Sequence, residues 1–119
     1  MGILSDLMVG LQRAWCAETA APGTDGAGPG RPIGQCAVSA LLMQDLFGGE
    51  LLRAVIDGQS HYWNRIPGGG ELDVTRGQYP DEVEIPRGVV VPRSRLLEGD
   101  RAAAARTVER YRLLCDRVG

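Results

Sequence analysis

Three side chains in this sequence have the types that acyl chemistry needs: Cys36, His61 and Asp73. A thiolate attacks carbonyl carbon, and an imidazole within reach can take its proton. His61 is the only histidine, which makes it the natural proton carrier near neutral pH. A carboxylate beside an imidazole fixes its tautomer and holds its charge. Cys36 follows Gly34-Gln35 at the expected start of a helix. Unpaired N–H groups and the positive end of the helix dipole favour a thiolate there. The Cys36 N–H and the Gln35 side chain are the nearest donors for an oxyanion. Trp63 either shields the thiolate–imidazolium pair or plugs the core, and Asn64 either bonds locally beside His61 or caps a turn. Each residue alone also has a plain reading: a small buried hydrophobe, a packed strand histidine, a solvated carboxylate. Together they match the scheme of nucleophile, base and orienter.

These groups need elements to hold them. Ile3, Leu4, Leu7, Met8, Leu11, Ala14 and Trp15 recur at helical steps and predict a first helix. Residues 20–34 carry five glycines and three prolines and predict a flexible loop. A second helix is expected from Gln35-Cys36 to Phe47, with Val38, Leu41, Leu42 and Leu46 on its buried side and Gly48-Gly49 as its stop. Glu50–Ile56 reads as a strand closed by Asp57-Gly58. Ser60–Ile66 and Glu71–Thr75 read as a hairpin about Pro67–Gly70. Alternation puts His61, Trp63 and Arg65 on one face, with Tyr62, Asn64 and Ile66 on the other.

Register decides whether Asp73 meets His61. Direct pairing brings their Cβ atoms to ~5 Å, and pairing of His61 with Thr75 makes the contact diagonal at ~7–8 Å. A slip of one residue puts them on opposite faces. Thr75 and Gln78 either hydrogen-bond around Asp73 or, the favoured reading, simply end the strand. Residues 77–99 read as irregular with one short strand, and one helix is expected from Gly99-Asp100 to Arg117. Its apolar stripe is Ala104, Val108, Tyr111, Cys115 and Val118. The order of elements is α+β, in a single domain spanning residues 1–119.

Composition narrows the partners. The net charge is −2, and every basic residue is arginine, so lysine Schiff-base and P-loop chemistry are excluded. The balance argues against nucleic acid or an anionic membrane. No apolar run is long enough to span a bilayer. The opening Met1-Gly2-Ile3-Leu4-Ser5-Asp6 lacks the basic start of a signal peptide. Cys16, Cys36 and Cys115 are odd in number and scattered, which suits a reducing cytoplasm. Cys16 and Cys115 are expected to be buried and inert. With His61 the cysteines hold the right atoms for zinc but lack close ligand pairs, so no metal or cofactor is expected.

The run His61-Tyr62-Trp63-Asn64 followed by Leu72-Asp73-Val74-Thr75, with a cysteine at a helix start before it, resembles the histidine-to-aspartate hairpin of transglutaminase-like proteins. Gly34-Gln35-Cys36-Ala37-Val38, Phe47-Gly48-Gly49-Glu50, His61–Arg65 and Asp73–Tyr79 together resemble the small bacterial YunG-like family, over roughly residues 10–80. The resemblance implies a papain/transglutaminase-like core with the nucleophile helix packed on a small antiparallel sheet, flanked by N- and C-terminal helices. It implies Cys36, His61 and Asp73 as a triad but no substrate; the expectation is a thiol enzyme acting on an amide or acyl bond of a peptide or small molecule, with hydrolysis, deamidation and acyl transfer all open. The chain is short for that superfamily, so the cleft is expected to be shallow or completed by a second copy or a partner protein. The alternatives are a non-catalytic module that binds a peptide or small ligand, and a redox sensor that pairs Cys36 with Cys16 or Cys115.

Overall fold

The computed structural model describes residues 2–119, without the side chain of Ile3, so the expected place of Ile3 on the apolar stripe lies outside the described residues. Among the described residues the chain forms five α-helices and one antiparallel four-stranded sheet, an α+β architecture. The helices are α1 (Ile3–Ala14), α2 (Cys36–Phe47), α3 (Ser94–Leu97), α4 (Gly99–Ala105) and α5 (Thr107–Val118). The strands are β1 (Glu50–Ile56), β2 (Gln59–Arg65), β3 (Glu71–Leu72) and β4 (Val89–Val91), in spatial order β3-β2-β1-β4.

Helix α2 is the middle layer. Leu11, Trp15, Val38, Leu42, Met43 and Leu114 join it to α1 and α5 on one side. Ala40, Leu41, Leu51, Tyr62 and Leu96 join it to the sheet on the other. A helix buried between two layers is apolar around most of its girth rather than along one stripe. That corrects the single buried side expected for it. The correction extends to Leu46, which is exposed because the last turn of α2 runs out past both layers. Trp15 Nε1 donates to Ser39 Oγ at 2.9 Å and so satisfies the one hydroxyl carried into this core.

β1 and β2 pair over seven positions, from Glu50↔Arg65 to Ile56↔Gln59. Asp57 and Gly58 connect them with φ of 50° and 78°, the left-handed pair that a two-residue hairpin turn requires. This hairpin was not expected from the sequence. The expected one, β2–β3, is much shorter than Glu71–Thr75, with only Asn64↔Leu72 and Arg65↔Glu71 paired. The reason is local. Asp73 Oδ1 accepts the Thr75 N–H at 3.2 Å, and this side-chain turn replaces the ladder.

The C-terminal helix expected from residue 99 to 117 is broken. Arg106 is left-handed (φ 55°, ψ 39°), which separates α4 from α5. Arg110 Nε donates to the Ala105 carbonyl at 2.8 Å and covers a backbone acceptor that the break exposes. The break also re-aims α5. Thr107, Arg110 and Leu114 form its buried line, while Ala104 of the expected stripe is exposed on α4. The short helix α3 lies inside the stretch read as irregular. No helix of the described residues is long and apolar enough to cross a membrane.

Candidate active site

The site is built where β3 stops. Continuing the β2–β3 register sets His61 against Thr75, so His61 and Asp73 are diagonal neighbours on one face. Their side chains close the gap: His61 Nε2 lies 2.6 Å from Asp73 Oδ2. Asp73 is itself held through Oδ1, which accepts from the Thr75 N–H and from Thr75 Oγ1 at 3.4 Å. With Nε2 given to the carboxylate, Nδ1 is the ring nitrogen left to exchange a proton. Gln78 Nε2 approaches Nδ1 at 3.3 Å and also donates to Thr75 Oγ1 at 3.1 Å. Thr75 and Gln78 therefore do more than end a strand, contrary to expectation. Thr75 holds the carboxylate and also holds Gln78 beside the edge of the ring.

The imidazole is wholly buried and boxed by rings. Trp63 stacks on it at 5.3 Å between centroids, and Tyr79 meets it edge-on at 5.1 Å. Burial by itself lowers the pKa of His61. The hydrogen bond and charge of Asp73 and the hydrogen bonding and charge of Cys36 outweigh it and raise the value to about 9. The ring is therefore an imidazolium at neutral pH. Tyr79 is pushed up to about 12 by burial first, then by the charges of Cys36 and Asp73. Its phenol stays neutral beside them.

Cys36 is half-buried at the first position of α2. The first intrahelical bond runs from the Ser39 N–H to the Gln35 carbonyl. The N–H groups of Cys36, Ala37 and Val38 thus precede the helix ladder. Cys36 opens on a cavity of about 650 Å³, with Gly34, Tyr62, Gln78, Tyr79 and Arg110 among its walls. The Gly/Pro-rich segment supplies one wall through residues 21–25.

The three accessory residues are placed as follows. Gln35 is wholly buried, and its Nε2 donates to the Cys16 carbonyl at 2.9 Å, while its Oε1 has no partner among the described residues. The side chain does not line the cavity, which leaves the backbone N–H of Cys36 as the nearer oxyanion donor. Asn64 Nδ2 donates to the Ala40 carbonyl at 2.9 Å and pins β2 to α2, which corrects its expected place beside His61 or on a turn. Trp63 stacks on His61 while its Nε1 donates to Glu71 at 2.8 Å. It is core plug and imidazole shield at once. Cys16 is buried as expected; Cys115 is only partly so, its thiol pushed up by burial.

Sequence reasoning gave Tyr79 no role and read Arg110, with Arg101, Arg106, Arg112 and Arg117, as a solvated helix face, which the burial of Arg110 corrects. Tyr79 follows Gln78 directly and so belonged to a segment already singled out. Arg110 sits among surface arginines and carried no signal until the break at Arg106 turned it inward.

The chain matches the YunG protein family over residues 4–119. It is 31% identical over 85 residues to the uncharacterized protein YunG of Bacillus subtilis (strain 168), covering 71% of this chain and 68% of that protein. No solved structure gives a significant match. The chain belongs to the YunG family.

Proposed function

We propose that this member of the YunG family is a cysteine-dependent enzyme that acts on an amide or other acyl bond through an acyl-thioester on Cys36, with a papain/transglutaminase-like core. The observation that carries the reading is the His61 imidazole. It is fixed at 2.6 Å by Asp73, boxed by two aromatic rings and held as a cation beside a thiol that opens on a cavity. A purely structural histidine gains nothing from that combination of burial, charge and a neighbouring nucleophile.

The chemistry follows from the geometry. The Cys36 proton passes to His61 Nδ1, and Asp73 holds the resulting cation through Nε2. The thiolate attacks the carbonyl carbon and forms a C–S bond, and the oxyanion takes the N–H of Cys36. The imidazolium returns its proton to the leaving amine or alcohol as the acyl bond breaks. Water, or an acceptor amine, then attacks the thioester with His61 as base, and the thiol is restored. Hydrolysis, deamidation and transfer differ only in the leaving group and the acceptor, and all three fit these steps.

The test is a burst assay with an activated ester such as p-nitrophenyl acetate. The expected result is one equivalent of nitrophenolate released rapidly, with an acetyl group of matching mass on the peptide containing Cys36. Both signals vanish in Cys36→Ala while the circular dichroism spectrum is unchanged. Acetylation spread evenly over Cys16, Cys36 and Cys115, or absent from Cys36, defeats the proposal.

A further inference from the structure

We infer that the cavity beside Cys36 receives a substrate bearing a carboxylate close to its acyl carbon, held by Arg110 inside and by Arg95 and Arg101 at the mouth. The inference rests on the reading of Cys36 as the nucleophile and names the class of substrate that this nucleophile meets.

Arg110 is the anchor. It lines the cavity and is only 6% exposed. Its Nε donates to the Ala105 carbonyl, its Nη1 to the Thr19 carbonyl at 3.0 Å and its Nη2 to Thr107 Oγ1 at 3.5 Å. A guanidinium has five N–H groups in a planar fork, so these bonds leave one N–H on each terminal nitrogen. No carboxylate pairs with Arg110 among the described residues. A strut between α4, α5 and residue 19 needs the hydrogen bonds but not the charge, and a buried cation without a counter-ion is costly. An arginine with two spare donors and an unspent charge, facing a cavity, matches the two oxygens of a carboxylate.

The walls carry charges of both signs, and the arginines outnumber the carboxylates. Arg95 and Arg101 also line the cavity. Arg95 is committed through Nε to the Tyr62 hydroxyl at 3.3 Å, and Arg101 is exposed. Asp25 and Asp57 are the opposing carboxylates on the walls, and both are exposed, so water screens them at the rim. The buried charge in the cavity wall is that of Arg110, while the charge on His61 is paired with Asp73. Arg110 and Cys36 line the same cavity, and burial lowers the pKa of Arg110 while the charges of Cys36 and then Glu109 raise it. A carboxylate on Arg110 would therefore sit near the acyl group under attack.

Two alkylating reagents of nearly equal shape test this without a known substrate. Iodoacetate is an anion and iodoacetamide is neutral. In both, the thiolate attacks the methylene carbon, a C–S bond forms and iodide leaves with the bonding electrons. Rates at Cys36 are read by peptide mass spectrometry and referenced to 2-mercaptoethanol, an uncharged thiol. The native chain is expected to favour iodoacetate by roughly tenfold over that reference. Arg110→Gln is expected to remove most of this preference and Arg101→Gln a smaller part.

A native ratio no higher than the reference, or a high ratio unchanged by these substitutions, overturns the inference. So does an Arg110→Gln variant that slows both reagents equally, since Arg110 would then serve only the thiolate. In each of these cases fast iodoacetamide labelling of Cys36 leaves the thiol-enzyme reading standing. Labelling of Cys36 by both reagents no faster than Cys115 defeats that reading and the inference with it. Should Arg110→Gln not fold, the native ratio and the Arg95→Gln/Arg101→Gln double variant decide.

Discussion

The two hairpins that share β2 are built for different ends. β1–β2 pairs at every position of both strands and turns through Asp57-Gly58 with no residue to spare. β2–β3 pairs at two positions and then stops. The first is a ladder that spends its backbone groups on stability. The second gives up pairing where Asp73 begins, and the carboxylate freed from the ladder turns back to the imidazole. Regular structure thus carries the imidazole, and its interruption carries the carboxylate that holds it. A longer β3 would add backbone hydrogen bonds and hold Asp73 out along the strand, away from the turn that fixes its second oxygen.

Substitutions at the two hairpins should separate reactivity from stability. The largest effect is expected at the interrupted one. Asp73→Asn leaves the shape but removes the charge on His61, and formation of the Cys36 acyl adduct should slow by about 10³-fold. A stopped-flow burst measurement checks this, and a change of less than about threefold would show that Asp73 is not the orienter.

The next effect is on pH dependence. The folded-state pKa of His61 is about 9, against about 6.5 in the unfolded chain. A raised pKa means that the native state binds the proton more tightly. Its contribution is therefore full below about pH 6.5 and is lost as pH rises through about 9. At ~1.4 kcal/mol per pKa unit the loss is about 3 kcal/mol. Urea titrations across that window should show the decline, and the Asp73→Asn profile should be nearly flat. An equal slope in both chains would remove Asp73 as the cause.

Gly88→Ala tests the packing behind the imidazole. A Cβ at Gly88 would meet Trp63 Cζ2 at 2.6 Å and Leu52 Cβ at 3.0 Å, so the indole that stacks on His61 must shift. A cost of about 2 kcal/mol is expected, together with slower alkylation of Cys36. Unchanged alkylation with lowered stability would make Trp63 a core residue alone.

Gly58→Ala should have the smallest effect. Nothing lies within 4 Å of the added Cβ, so only the left-handed φ of 78° is penalised. That is worth about 1 kcal/mol, visible as a lower Tm with the Cys36 rate unchanged. A rate change there would mean that the continuous hairpin also positions the site.

Much of the fold was legible in the sequence because the relevant signals are local. The apolar steps of α1 (save Leu4, which is exposed in its first turn), the Gly48-Gly49 stop after α2 and the extent of β1 are each set within a few residues. The errors share one cause. The break at Arg106 carries no glycine or proline to announce it, and it exists because Arg110 and Leu114 find buried places only when α5 is re-aimed. Leu46 had the right spacing to be buried, but the layers it would have met end before it. The expected alternation of β2 places His61 with Trp63 on one face and Tyr62 with Asn64 on the other, but it did not show that both faces are covered. His61, Tyr62, Trp63 and Asn64 are all buried for that reason.

The sequence by itself determined which groups are available: one imidazole, a thiol at a helix start and a carboxylate a hairpin away. These follow from residue type and from backbone preferences that act over a few positions. Only the tertiary structure decided that Gln78 and Tyr79 close around His61 and that Arg110 carries its charge inward to the cavity beside Cys36. The physical reason is that burial, register and electrostatic neighbourhood are properties of contacts between distant segments. No window of sequence contains both sides of such a contact.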